Sequence, residues 1–391
     1  MENILFIETR GMNPTGILKT AIARGYHPFI ATEKGEEWQQ RLLDQHIEAT
    51  LLTVSRLASQ DILEALPSRP VAVITLSDQY LEIGADVARQ LELPHTPVDV
   101  LMNCRNKQAT RELVAATAVK QPAFARIETL ESMHCIVLSE LVGFPLIFKP
   151  LLGHSSLGVH KFYSQSEVDG FFQQEADQFD FPYIVEHLIE DAELISVEGF
   201  IDRIGVHFLG CSSRLLGGEG DCVELGGIFP YKPFEALLYQ ASQEIIQAIT
   251  MSFGAFHIEY LVRDNQVYLV EVNPRFPNGP APSNISRALG CALDDVIIEL
   301  FVNGFSTSRP VPKYVSIARA LYSEQDGVIT NVHVPNDIDA DVFLSYSTPF
   351  KVSRIRSNAD RFGFVITASE DVALLDDKVN AIMKQIVITR C

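Results

Sequence analysis

The stretch GAFHIEYLVRDNQVYLVEVNPR, residues 254–275, reads as two apolar strands, 255–262 and 266–273, joined by Arg263-Asp264-Asn265. Asp-Asn between two such runs signals a tight hairpin, because both residues tolerate the left-handed backbone that the turn needs. On the second strand Glu271 and Asn273 stand two apart, so their side chains leave the same face. Closing the hairpin at Asp264-Asn265 brings Glu259 to roughly the level of Glu271. Two carboxylates and an amide oxygen on one face are a donor set for a hard, oxygen-preferring cation such as Mg²⁺. Arg275 adds a planar fork suited to a phosphate or a carboxylate. Taken singly, each acid reads as the solvated face of an edge hairpin. Acids inside runs as apolar as YLVEV need a partner or a metal, and the set of four favours the metal.

Working outward, FPLIFKPLLGHSSLGV (144–159) ends an apolar strand on Lys149 and continues into a turn with Gly153, Ser155, Ser156 and Gly158. Such a turn can fold over phosphates and offer backbone N–H groups. It is not a Walker A loop, since no Gly-Lys-Ser/Thr follows. Read alone it is equally a tight strand-to-strand turn, and the lysine before it tilts the reading towards phosphate. YIVEHLIE (183–190) is an apolar strand running into an acidic segment, with Glu193, Ser196 and Glu198 opening the next strand. The first ninety-odd residues alternate strand-like and helix-like runs, which implies a parallel sheet with helices on both faces. Pro94 and Pro97 mark a boundary. Residues 215–230 read as a long glycine-rich loop, 233–253 as a helix, and the chain from 314 onward as a small unit with its own strands.

The 391 residues carry a net charge of −19, which argues against nucleic acid as a partner, because phosphate backbones need a basic surface. No run approaches the roughly 20 apolar residues of a membrane span. MENILFIETRG lacks the basic start and cleavage site of a signal peptide, so a cytoplasmic enzyme is expected. The six cysteines show neither C-x-x-C nor metal spacing to histidines and read as reduced, mostly buried thiols.

Lys107 in RNKQATRELV, Lys149 before the glycine turn, VEHLIED with ELISVEGF, and the 254–275 hairpin occur in an order that resembles the ATP-grasp superfamily. SVEGF, GAFHIEY, VELGG and the C-terminal GVITNVHVP and DRFGFVITASED resemble, within it, the L-amino acid ligases that form dipeptides. The resemblance implies an α/β protein: a pre-ATP-grasp domain over 1–95, an ATP-grasp domain of two lobes over 96–310, and an α+β subdomain over 311–391. It also implies ATP and Mg²⁺ as cofactors, with Mn²⁺ as a substitute, and small carboxylate and amine substrates, with a homodimer as the assembly.

On that resemblance Lys107 and Lys149 contact ATP, and Gly153, Ser155, Ser156 and Gly158 close over its phosphates. The segment 185–188, with Glu186, His187 and Leu188, holds adenine through its backbone, and Glu193 reaches the ribose. Glu259, Glu271 and Asn273 hold the metal. Arg275 stabilises the transferred phosphoryl group, and Glu224 and Arg275 grip the substrates. Three features depart from the pattern: Glu193 stands three residues before Ser196 rather than two, FPNGPAPSN follows Arg275, and His187 replaces an acid. The expected reaction is amide formation through an acyl phosphate, with loop 215–230 as a lid. Formyl or carboxyl transfer in purine-type metabolism is the alternative. His257 reads either as a base or, more simply, as a packed core histidine.

Overall fold

In the strand Asn3–Ile7, Ile4 and Phe6 face one side, Leu5 and Ile7 the other, and all four are fully buried. A strand apolar on both faces belongs inside a covered parallel sheet. In this computed structural model, which describes residues 1–9, 14–129, 142–152, 158–175, 182–218 and 223–391, it does. Four parallel strands lie in the order Thr50–Thr53, His27–Thr32, Asn3–Ile7, Ala72–Ile74. Ile4 and Phe6 pack into a core shared with the helices Ala281–Leu289 and Leu293–Asn303, whereas Leu5 and Ile7 meet the helices Ser59–Ala65 and Leu81–Gln90. After the strand Ala72–Ile74 the chain forms a short 3₁₀ turn, Asp78–Tyr80, and then the helix Leu81–Gln90.

Two antiparallel sheets follow. One runs Phe124–Ile127, Tyr183–His187, Leu146–Pro150, His160–Phe162, backed by the helix Gln165–Glu175. The other runs Gly205–Ser213, Glu193–Asp202, Gly254–Arg263, Gln266–Asn273 and packs one face on the helix Glu235–Ala248. Asp264 and Asn265 both have positive φ, 52° and 58°, which makes the two-residue connection a type I′ turn.

The glycine-rich loop expected over 215–230 is instead two strands, Leu215–Gly217 and Val223–Phe229. They join a five-stranded sheet with Val315–Leu321, Gly363–Ser369 and Asp341–Leu344. Local composition concealed them because the partner of Val223–Phe229 is Val315–Leu321, far along the chain. Cys104 and Cys211 are buried, and burial pushes both thiols up, Cys104 to about 12. Against expectation, Cys291 and Cys391 are exposed. Among the described residues no helix is long and apolar enough to cross a membrane.

Candidate active site

The second antiparallel sheet aligns its polar residues in two adjacent rows. Ser212, Ser196, Glu259 and Glu271 are register partners across the four strands, and Glu198, His257 and Asn273 form the next row. Pleating sends these side chains to one face, while Val197, Ile258 and Val272 go to the core on the other. The hairpin thus sets Glu259 directly opposite Glu271, with Asn273 two residues on.

Among the described residues no three His, Cys, Asp or Glu side chains gather as a metal cage. Two carboxylates and an amide oxygen nevertheless fit Mg²⁺, which takes few protein ligands when phosphate oxygens complete its octahedron. Asn273 Nδ2 donates to Glu271 Oε1 at 3.0 Å, which turns Oδ1 towards Arg275 Nη2 at 3.3 Å. Burial would raise the Glu259 carboxyl, but the hydrogen bond from His257 and the charges of His257, Arg214 and Arg275 hold it below the usual carboxylate range, which favours the ionised form. His257 contacts Glu198 through Nδ1 at 3.1 Å and Glu259 through Nε2 at 2.9 Å. Burial would lower this imidazole, and its two acid partners raise it instead.

Two cations stand at the nucleotide side. Lys107 Nζ lies 3.9 Å from Glu271. Burial lowers its pKa, opposed by Glu271. Lys149 Nζ donates to Glu186 at 2.6 Å. Glu186 also receives two hydrogen bonds from Arg111, whose Nη2 donates to the carbonyl of Val270 in the hairpin. Glu186 is therefore a buried anchor for Lys149 and does not face a ligand. Gly158 has φ +69°, and an added Cβ would come within 3.0 Å of the Tyr183 hydroxyl, so only glycine fits. Gly153, Ser155 and Ser156 lie outside the described residues.

Several expected contacts are placed differently. In the expected adenine hinge, His187 N–H donates to Ala123 O and Leu188 N–H to Pro145 O, so neither donor is left for a base. Glu193 shares its strand face with Ile195 and Val197, opposite the polar rows, and accepts from the Tyr231 hydroxyl at 2.6 Å. Strand alternation removes it from the ribose role. Glu224 is ion-paired with Arg214 at 2.9 Å, and its backbone is held by Asn358 and Arg361. It is a support for Arg214 rather than a free grip for substrate. Arg275 is nearly buried, and its fork grips both oxygens of Asp78 at 2.5 Å.

Arg214 and Asp78 were missed in the sequence. Arg214 has a side chain only 8% exposed, and Glu224, Glu259 and Glu198 raise its pKa against burial. An arginine ending the apolar run FLGCSS was the available signal. Asp78 had none, since its partner is almost two hundred residues away.

The family of ATP-grasp domains matches residues 104–279, from just before Lys107 to just beyond Arg275. The chain is 22% identical over 383 residues to an uncharacterised protein of Sinorhizobium fredii, covering 92% of this chain and 75% of that one. It is 24% identical over 258 residues to the carbamoyl phosphate synthase large chain of Vibrio cholerae, covering 60% of this chain and 23% of that enzyme. It thus spans about a quarter of the synthase's length. The solved L-amino acid ligase from Bacillus licheniformis superposes with a TM-score of 0.80 at 16% identity, covering 100% of this chain and 98% of the ligase. At that identity the likeness is one of fold. Every residue of the two polar rows lies inside residues 104–279, the segment that matches the ATP-grasp domain family, and the whole chain resembles an L-amino acid ligase in fold.

Proposed function

We propose that the protein is an ATP- and Mg²⁺-dependent carboxylate–amine ligase that forms a dipeptide-like amide through an acyl phosphate. The observation that carries this reading is the interleaving of acids and cations on one sheet face: Glu259, Glu271 and Asn273 beside Lys107, Arg214 and Arg275. Such a surface suits a metal-bound polyphosphate and the negative charge that spreads as a phosphoryl group moves.

Glu259, Glu271 and Asn273 would hold Mg²⁺, or Mn²⁺ in its place; when bound, the ion neutralises phosphate oxygens. Lys107 and Lys149 bind the phosphates, Lys149 being aimed by Glu186. Arg275, steadied by Asp78, orients the substrate carboxylate. A carboxylate oxygen attacks the γ-phosphorus, the bond to ADP breaks, and an acyl phosphate forms. The neutral amine nitrogen then attacks the acyl carbon, the bond to the phosphate oxygen breaks, and the amine's proton leaves with the inorganic phosphate. Arg214 neutralises the oxyanion or the departing phosphate. In this reading residues 1–95 and 311–391 flank a nucleotide-binding domain over 96–310. The partners are small molecules in the cytoplasm, and the assembly is a homodimer.

The test uses purified protein, Mg²⁺-ATP and hydroxylamine, with amino acids supplied singly and then in pairs. Hydroxamate together with ADP identifies the activated acid, and pairs that raise ADP release identify the amine. Measurable ATP binding without ADP release from any of them sinks the amino-acid reading. ADP release driven by bicarbonate or formate alone would favour carboxyl or formyl transfer.

A further inference from the structure

Behind Glu259 the sheet buries a second carboxylate that no substrate can reach. Glu198 is 0% exposed and His257 4%. Ser196 Oγ donates to Glu198 Oε1 at 2.6 Å and Ser212 Oγ to Oε2 at 2.9 Å, while His257 Nδ1 stands 3.1 Å from Oε1. The side of the imidazole away from Glu198 presents Nε2 to Glu259 Oε1 at 2.9 Å. Three of the four strands contribute to this chain of contacts, and it ends on a single oxygen of Glu259, whose side chain is 22% exposed. A buried carboxylate costs several kcal/mol unless its oxygens are satisfied, and an apolar residue at 198 would pack this sheet more cheaply. The arrangement gains a purpose if the far end of the chain must be held still.

We propose that Glu198 and His257 are positioning residues for the metal site: they fix Glu259 by Oε1, so that Oε2 is the oxygen presented to Mg²⁺. Ser196 and Ser212 orient Glu198 in turn. A carboxylate that receives a hydrogen bond on one oxygen is locked in rotamer and binds a small octahedral cation through the other. This rests on the reading of Glu259 as a metal ligand, and the experiment separates the two.

Mn²⁺ binding to the ADP complex, read by electron paramagnetic resonance, needs no turnover. His257→Asn keeps a donor at the Nδ1 position and loses the one facing Glu259, whereas His257→Gln keeps a donor at the Nε2 position. His257→Asn is expected to weaken Mn²⁺ about 10- to 100-fold, and His257→Gln to restore it to within about threefold. Glu198→Gln, which loosens the imidazole from behind, weakens Mn²⁺ in the same direction and serves if His257→Asn does not fold. Glu259→Gln is the control. If it abolishes Mn²⁺ binding while His257→Asn and Glu198→Gln lower only the melting temperature, the positioning role is overturned and the metal site stands. If Glu259→Gln binds Mn²⁺ normally, the metal reading itself fails, and this inference with it.

Discussion

Burial alone would push the Glu186 carboxyl up, yet Lys149 at 2.6 Å and Arg111 at 2.8 Å hold it down at about 2. Relative to the 4.5 of a free glutamate, that shift corresponds to about 3 kcal/mol of stability. The contribution is complete above pH 4.5 and is lost as pH falls towards 2, because the unfolded chain then takes up the proton first. Arg111→Met removes one of the two cations, so it is expected to lower stability in urea at pH 7 by about 3 kcal/mol. The same variant should move the acid-unfolding midpoint, followed by circular dichroism, to higher pH. Arg214→Met is expected to reduce hydroxamate formation by about 10²- to 10³-fold, as loss of one charge-stabilising donor does, with Arg214→Lys retaining part of the rate. An unchanged rate would remove Arg214 from the chemistry. At this scale the sequence was readable where partners are near in the chain, as with Glu271 and Asn273. It was not readable for Arg214, whose acids come from three strands, nor for Glu193, where a single step of the pleat decides the face.

The turn and the donors of the 254–275 hairpin were legible because they are local, but the register shift between Glu259 and Tyr260, which brings Glu259 opposite Glu271, was not. Asn265 sits at φ +58°, so Asn265→Val is expected to cost about 1–3 kcal/mol in chemical denaturation, while Asn265→Gly is tolerated. A second element-scale contact lies where the helix Leu81–Gln90 crosses the strand Ala72–Ile74. Thr75 Oγ1 occupies the space above Gly84, 2.1 Å from where a Cβ would stand. It has no hydrogen-bond partner among the described residues. Gly84→Ala should therefore cost about 1–3 kcal/mol by overpacking, and adding Thr75→Ala should recover most of it, since the hydroxyl loses nothing. The strands at 215–217 and 223–229 were hidden for the opposite reason. Their glycines and acids look like a loop, and beyond their own short pairing it is a distant strand, Val315–Leu321, that builds them into the five-stranded sheet.

Across the whole molecule, Asp78, just beyond the strand Ala72–Ile74 of the parallel sheet, reaches over to Arg275 beside the polar rows, so the N-terminal part of the chain holds a side chain that follows the hairpin. Asp78→Asn is expected to raise the KM for the carboxylate substrate at least about tenfold, the scale of a lost charge-assisted pair, with little change in the KM for ATP. A parallel rise in both constants would mean that Asp78 supports the fold in general. The parallel sheet and the hairpin sheet after it were legible because alternation and hairpin patterns are periodic, whereas the joins between them rest on single side chains. The shared five-stranded sheet carries one more consequence, for the birth of the protein. Val223–Phe229 leaves the ribosome about 90 residues before Val315–Leu321, the strand that completes it. At roughly 5–20 residues per second, that is about 5–20 s in which the nascent chain displays an unpaired edge. The sheet that bears Glu259 and Glu271 can form during translation, while the wall formed by Arg214 and Glu224 must wait for residues 315–321 to emerge.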